Sequence, residues 1–242
     1  MGKGVLKEWT PPKESKFFRF EGQLYTIITA LLIQILMRVL NRTKIIRKEI
    51  IGREKGPYIF ASNHTTMFDS GFIDCLLFFK KAFASYDSIP YHTPEYGNFY
   101  KNRVMSYYMD RVKCLPLVRG KGIDQPSQRV VNEKLKSGKI VHIFPEGTRS
   151  RTGKLLPGKG GVGKRIYETK VKVVPCYHHG VRDILPVGSS IPKIGKKVTI
   201  IVGEPIYFDD LFELENKPET WRLISQRIME HISKLRDEIG VE

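Results

Sequence analysis

Residues 44–63, KIIRKEIIGREKGPYIFASN, decide how the chain folds. Two short apolar runs, KIIRKEIIG (44–52) and PYIFASN (57–63), are bounded by Gly52 and Gly56-Pro57. Runs this short, rich in isoleucine and aromatics and closed by glycine and proline, predict strands. From there to the C-terminus strand-like and helix-like patterns alternate. DSGFIDCLLFFKK (69–81) has helical spacing, with Asp69 and Ser70 at its start, and YGNFYKNRVMSYYMDRV (96–112) predicts a second helix. KCLPLVR (113–119) reads as a strand, QPSQRVVNEKLKSG (125–138) as a helix closed by Gly138, and KIVHIFPEG (139–147) as a buried strand. GVGKRIYET (161–169) is helical and is followed by strands KVVPCYHHG (172–180) and KKVTIIVGEPI (196–206). TWRLISQRIMEHISKLRDEI (220–239) predicts an amphipathic helix opened by a Thr220 cap. The alternation predicts an α/β fold with a mixed central sheet wrapped by helices.

Upstream, LYTIITALLIQILMRVL (24–40) is the only long apolar stretch. As a helix it spans about 26 Å, short of the roughly 30 Å of a hydrocarbon core. Tyr25, Ile28, Leu32, Ile35, Leu36 and Val39 gather on one side of the wheel, Gln23, Thr26, Gln34, Arg38 and Asn41 on the other. Lys13, Lys16 and Arg19 precede it, and Arg42, Lys44, Arg47 and Lys48 follow. An apolar face with basic flanks predicts a helix lying in or partly inserted into a membrane; a core helix covering the sheet is the alternative. The expected organisation is therefore an N-terminal membrane-associating helical segment, 1–44, and one domain, 45–242.

Lysine and arginine number 41 against 25 acidic residues, a net charge of +16, which favours an anionic partner. Nucleic acid is disfavoured, because the cations are scattered and no reader motif is present. Cys75, Cys114 and Cys176 are odd in number and widely spaced, so neither a disulfide framework nor a metal site is indicated, and a reducing, cytoplasmic setting is expected. The start carries no secretory signal, and Leu6 stands where a myristoylation motif wants serine or threonine. No cofactor is expected.

SNHTTMFDSG (62–71) sets His64 five residues before Asp69. An imidazole can act as a general base near neutral pH if a carboxylate orients its other nitrogen. On a regular helix the two would point about 140° apart. A bend between His64 and a helix beginning near Asp69 would bring them together; a surface histidine and a helix-capping acid remain the alternative. No G-x-S-x-G is present, so a catalytic His64 would act on a hydroxyl of the substrate. HIFPEGTRSRTGKLLPGKGG (142–161) carries a buried strand into a loop with Glu146, Gly147, Thr148, Arg149 and Arg151, and Lys154, Lys159 and Lys164 add charge. Glycine lets backbone approach an anion and arginine grips phosphate in a bidentate manner, so this is a candidate anion site; it is not a Walker loop. In CLPLVRGKG (114–122), Arg119 closes an apolar run and can aim at the same anion. Val174-Pro175 ends a strand.

In this order the motifs resemble the glycerolipid acyltransferase family. The matching blocks are Asn63-His64 with Asp69, Leu117 to Arg119, Phe144 to Ser150, and Val174-Pro175. The resemblance implies a membrane-associated enzyme on the cytoplasmic face, moving an acyl group from acyl-CoA or acyl carrier protein to a lysophospholipid. The expected acceptor is 1-acylglycerol-3-phosphate and the expected surface is an anionic membrane. It implies His64 as base, Asp69 as its orienter, and Asn63, Arg119, Glu146, Gly147, Thr148, Arg149 and Pro175 as substrate-binding residues. Arg119 and Arg149 are assigned the phosphate, and Glu146 an ordering role or a contact with a free hydroxyl. CLPLVRGKG, VHIFPEG, HHGVRDILP and KKVTIIVGEPI are similar to the tafazzin branch, whose donor is a phospholipid, whereas T-R-S after P-E-G is closer to the lysophosphatidate branch.

Overall fold

A computed structural model describes residues 9–118, 120, 122, 125–186, 188, 189 and 191–241. Its strands are β1 (Arg42–Ile46), β2 (Tyr58–Ser62), β3 (Ile140–Ile143), β4 (Lys172–His179) and β5 (Lys197–Val202). The helices of the first half are α1 (Lys16–Gln34), α2 (Glu49–Arg53), α3 (Asp69–Leu77), α4 (Phe79–Ala84), α5 (Tyr96–Phe99) and α6 (Arg103–Arg111). Those of the second half are α7 (Pro126–Lys136), α8 (Gly160–Thr169), α9 (Val181–Ile184), α10 (Asp209–Phe212) and α11 (Pro218–Glu238).

The strands form one sheet in the order β1-β5-β4-β2-β3. β3, β2 and β4 are mutually parallel, β5 runs antiparallel to β4, and β1 is parallel to β5. The expected α/β fold with a mixed central sheet is thus what the chain adopts. β2 is buried at every residue, as a strand covered on both faces must be. Its side chains alternate between two cores. Ile59 and Ala61 meet α7, α8 and α11 through Leu135, Ile166, Ile228 and Ile232. Tyr58 and Phe60 meet α2, α3 and α9 through Ile51, Ile73, Leu76 and Ile184. α8 and α11 touch at backbone: a Cβ on Gly163 would lie 1.9 Å from the Trp221 carbonyl oxygen.

Local differences from expectation have local causes. KIIRKEIIG is a strand only to Ile46; Arg47 turns left-handed (φ 58°), and α2 follows, burying Ile50 and Ile51. The single helix expected over 96–112 is two, because the Asn102 side chain accepts from Val104 N–H and Met105 N–H and so caps a new start. The described part of segment 113–119, residues 113–118, is not a sheet strand; Cys114 and Leu117 make isolated bridges to His92 and Glu95. α11 opens with Pro218 in its first turn, and Thr220 Oγ1 donates to Glu215 O instead of capping.

α1 is the largest departure from the ordinary globular pattern. Its polar side chains face the protein: Gln23 donates to Ala82 O, and Gln34 donates to Cys75 O. Beyond it a π-helical turn, Ile35–Val39, leads to Asn41, which is buried and bonded to Leu36 O and Lys193 O. The apolar stripe of α1 and of the turn that continues it faces outward, with Phe17 68%, Leu32 62% and Val39 75% exposed. The core-helix alternative would require the reverse.

Candidate functional site

Two parallel strands deliver the chemistry of both motif loops to one place. β2 and β3 are neighbours, with Ala61 opposite Ile143, so the segments leaving their carboxyl ends, 63–69 and 144–150, emerge side by side. Such ends are where open α/β sheets accommodate ligands. His64 lies in the bend between β2 and α3, and Asp69 is the first residue of α3. The bend removes the angular separation a continuous helix would impose: His64 Nδ1 is 2.9 Å from Asp69 Oδ2.

Asp69 is fully buried and accepts from a ring of donors: Thr65 N–H (2.5 Å), Thr66 N–H (2.8 Å), Thr66 Oγ1 (2.7 Å) and Thr65 Oγ1 (3.3 Å). Burial alone would raise this carboxyl; His178, His64 and Thr66 outweigh it and hold it at about 2. An ionised carboxylate only accepts, so His64 Nδ1 carries the hydrogen and Nε2 is left as the basic nitrogen.

The loop after β3 grips His64 from the other side. Glu146 is buried, its Oε1 accepting His64 N–H (2.9 Å) and its Oε2 accepting Leu156 N–H (3.0 Å). Ser150 N–H donates to His64 O (2.7 Å), and the Phe144 ring stacks on the imidazole at 3.9 Å and 10°. Burial pushes Glu146 up to about 7 against the two backbone donors, which favour its charged form. From β4, His178 N–H donates to Asn63 Oδ1, Asn63 Nδ2 donates to His178 O, and the His178 ring nitrogen Nε2 bonds Asn63 O at 2.8 Å. That nitrogen is also 3.8 Å from Asp69 Oδ2. Burial lowers the pKa of His178, although Asp69 opposes this.

Two cavities meet at His64. One, of about 550 Å³ and the more polar of the two, is lined by Gly147, Thr148, Lys159, Arg165, Gln125 and Gln128, with Leu117, Ile143 and Phe144 among its apolar walls. The second, of about 320 Å³, is mostly apolar and runs between α1, α3 and α6 past Ile33, Phe72, Phe99, Tyr108 and Met109. Gly147 and Thr148 thus face the polar cavity, while Arg149 faces the apolar one. Leu117 and Val118 line the polar cavity; Arg119 lies outside the described residues.

Asn63, Glu146 and Pro175, expected to touch substrate, line neither cavity. Asn63 and Glu146 are spent on backbone groups, and Pro175 sits within β4, accepting Gly203 N–H through its carbonyl. Sequence reasoning missed His178, because its partner is a backbone carbonyl, and Arg165, which α8 carries without any motif. Arg165 is buried, donating to Gln128 O and Asn132 Oδ1.

A second imidazole–carboxylate pair lies one ring away: His142 Nδ1 is 2.9 Å from Asp74 Oδ1, and its Nε2 is 2.9 Å from Ser62 Oγ. This is the spacing of a hydrolase triad. Ser62, however, is fully buried and lines neither cavity. With His92, whose donor atom lies within 4.8 Å of the others, these residues could also be read as a cation site. The 2.9 Å separation is a hydrogen-bond length and the far nitrogen of His142 is occupied, so the group is read as a polar network.

The chain is 30% identical to tafazzin of Drosophila melanogaster over 96% of its own length and 65% of that protein's. It is 25% identical to the 1-acyl-sn-glycerol-3-phosphate acyltransferase of Bacillus subtilis over 84% of its length and 94% of that protein's. It spans less than two thirds of the fly protein and 42% of the Dictyostelium discoideum taffazin. Its fold is similar to that of the crystal structure of the 1-acyl-sn-glycerophosphate acyltransferase PlsC from Thermotoga maritima, with a TM-score of 0.62 at 20% identity over 91% of this chain and 90% of that one. Residues 38–179, which hold both motif loops and the strands that carry them, match the Acyltransferase family, and the chain belongs to it.

Proposed function

We propose that the protein transfers a fatty acyl group from a thioester donor, acyl-CoA or acyl carrier protein, to the free hydroxyl of a lysophospholipid, foremost 1-acylglycerol-3-phosphate, giving phosphatidic acid. The observation that carries the reading is the His64–Asp69 pair, 2.9 Å apart, at the junction of a polar and an apolar cavity. His64 Nε2 takes the proton of the acceptor hydroxyl as its oxygen attacks the thioester carbon. The carbon–sulfur bond breaks, and the thiolate leaves with the proton returned by the imidazolium. Asp69 holds the ring and stabilises that imidazolium. Glu146 and Ser150 hold the His64 backbone and Asn63 ties the preceding residue to the His178 backbone, so the reacting nitrogen meets both substrates without reorganisation.

The phosphate is assigned to Arg149 and Arg119 on charge and an acyl chain to the apolar cavity, which Arg149 also lines next to His64; Lys159 and Arg165 add positive charge to the other cavity. No protein nucleophile, metal or cofactor enters these steps. In this reading residues 1–44 are the membrane-associating segment and 45–242 the catalytic domain. The outward apolar stripe of α1 supports peripheral or monotopic membrane attachment, which this reading assigns to the cytoplasmic face and an anionic surface.

A second reading is favoured by the similarity to tafazzin over 96% of the chain: transfer from a phospholipid to a lysophospholipid without CoA. The His64 step is unchanged, but the leaving group is an alkoxide and needs the returned proton more. Purified protein with vesicles, offered a thioester or a phospholipid donor with and without lysophosphatidate, separates the cases. Thioester consumption that requires lysophosphatidate supports the first reading, CoA-free exchange the second, and thioester loss without acceptor would mean hydrolysis. Inactivity with every donor would leave a lipid-binding module and refute both.

A further inference from the structure

The outward apolar surface of α1 does not stop at that helix. α6 lies antiparallel beside it. Arg111 sits over the Phe18 ring at 4.9 Å and bonds Glu21. One turn earlier, Tyr108 meets Tyr25 at 6.0 Å between rings and bonds Thr29 at 2.6 Å. By the rise of two antiparallel helices, a further turn back brings Val104 and Met105 level with the α1 turn beyond Thr29, towards Leu32. Val104 is 78% exposed and Met105 45%. Singly scattered apolar side chains are ordinary on a surface; what marks an interaction site is that these two extend the exposed α1 stripe of Ile28 and Leu32.

A third element joins them. Met67 and Phe68, in the bend just after His64, are exposed and line the apolar cavity, which Tyr108 and Met109 of α6 also line. Cations frame this surface. Lys101 and Arg103 are exposed beside Val104. At the far end of the α1 stripe Arg38 and Lys80 lie close enough to Lys48 to act on its charge. Apolar side chains rimmed by lysine and arginine, continuous with an apolar cavity, match the charge and polarity of an anionic bilayer.

Resting on the reading that α1 attaches to a membrane, we propose that the first turn of α6, through Val104 and Met105 between Lys101 and Arg103, is a second bilayer-inserting element. With α1 it sets the rim of the apolar cavity at Met67 and Phe68 against lipid. An acyl chain then passes from bilayer to cavity without crossing water.

The test uses the full chain with phosphatidylcholine vesicles containing phosphatidylglycerol. In a Val104→Trp variant, added fluorescence should shift to the blue and be quenched by brominated lipid, beyond the signal of Trp9 and Trp221 in the unaltered protein. A Val104→Asp/Met105→Asp variant should partition at least about tenfold more weakly, while turning over a monomeric short-chain lysophosphatidate at the unaltered rate. Unquenched Val104→Trp on vesicles that bind the protein would overturn the proposal. So would unchanged partitioning of the double variant, or a concentration-dependent dimer that the double variant abolishes. If the unaltered protein does not bind vesicles at all, the attachment of α1 fails, and this proposal with it.

Discussion

Replacing Asp69 by asparagine separates the hydrogen bond that orients His64 from the charge that stabilises it. Asp69 Oδ2 accepts from His64 Nδ1 and from two backbone N–H groups, whereas Oδ1 meets only the hydroxyls of Thr65 and Thr66. Hydroxyls can turn round and accept. The amide nitrogen of Asp69→Asn should therefore settle at the Oδ1 position and leave an oxygen facing His64, with ring, tautomer and bend preserved. What disappears is the negative charge beside the imidazolium formed during transfer. A charge pair at about 4 Å under an effective dielectric of ~20 is worth about 4 kcal/mol, and the retained neutral bond keeps part of that. A loss of about 3 kcal/mol is a fall in kcat of roughly 100-fold. Because Asp69 lines neither cavity, the acceptor KM should hold. The assay is initial-rate CoA release over a range of lysophosphatidate, with thermal unfolding of both proteins alongside. A kcat within about threefold of the unaltered protein, in a variant that unfolds at the same temperature, would refute the argument.

Other expectations follow from individual contacts. The Glu146 carboxyl is raised to about 7 from an unfolded value near 4.5. The stability tied to its proton is thus fully present below pH 4.5 and lost as pH rises through 7. Glu146→Gln cannot show this, so the stability of the unaltered protein relative to the variant should fall by ~1–3 kcal/mol between those pH values in denaturant titrations; a flat difference would contradict it. Arg149→Ala should raise the KM for lysophosphatidate with little change in kcat, and an unchanged KM would remove Arg149 from the phosphate site. Gly163→Ala would drive a methyl group into the Trp221 carbonyl, so α8 and α11 must part; a loss of ~2–4 kcal/mol is expected, and unaltered stability would mean the helices separate freely.

What was legible in the sequence tracks how far each signal reaches along the chain. Tyr58 to Ser62 announce a doubly covered strand, since burial on both faces needs an unbroken apolar run. The two motif loops were legible as strand ends, because Asn63 and Phe144 directly follow apolar runs. The side of α1 that faces the protein was legible only as a preference: the basic flanks favoured an outward apolar face, but a wheel that separates Gln34 from Leu32 fits a core helix equally well. The capping by Asn102 was masked by helical spacing on both sides of it. The partner of Glu146 is the backbone N–H of His64, a group every non-proline residue owns, so no residue type marks it. The same holds for His178 and Asn63 O. Motif identity was therefore readable, but the holding framework had to be seen folded.

The central claim is that the free nitrogen of His64 activates a lipid hydroxyl for acyl transfer. Mass spectrometry of the products formed from an isotope-labelled acyl thioester and lysophosphatidate, using unaltered protein and His64→Ala on the same vesicles, tests it most directly. The account predicts labelled phosphatidate from the first, and product formed roughly 100 to 10,000 times more slowly from the second with vesicle binding intact. Labelled phosphatidate at comparable rates from both would contradict it.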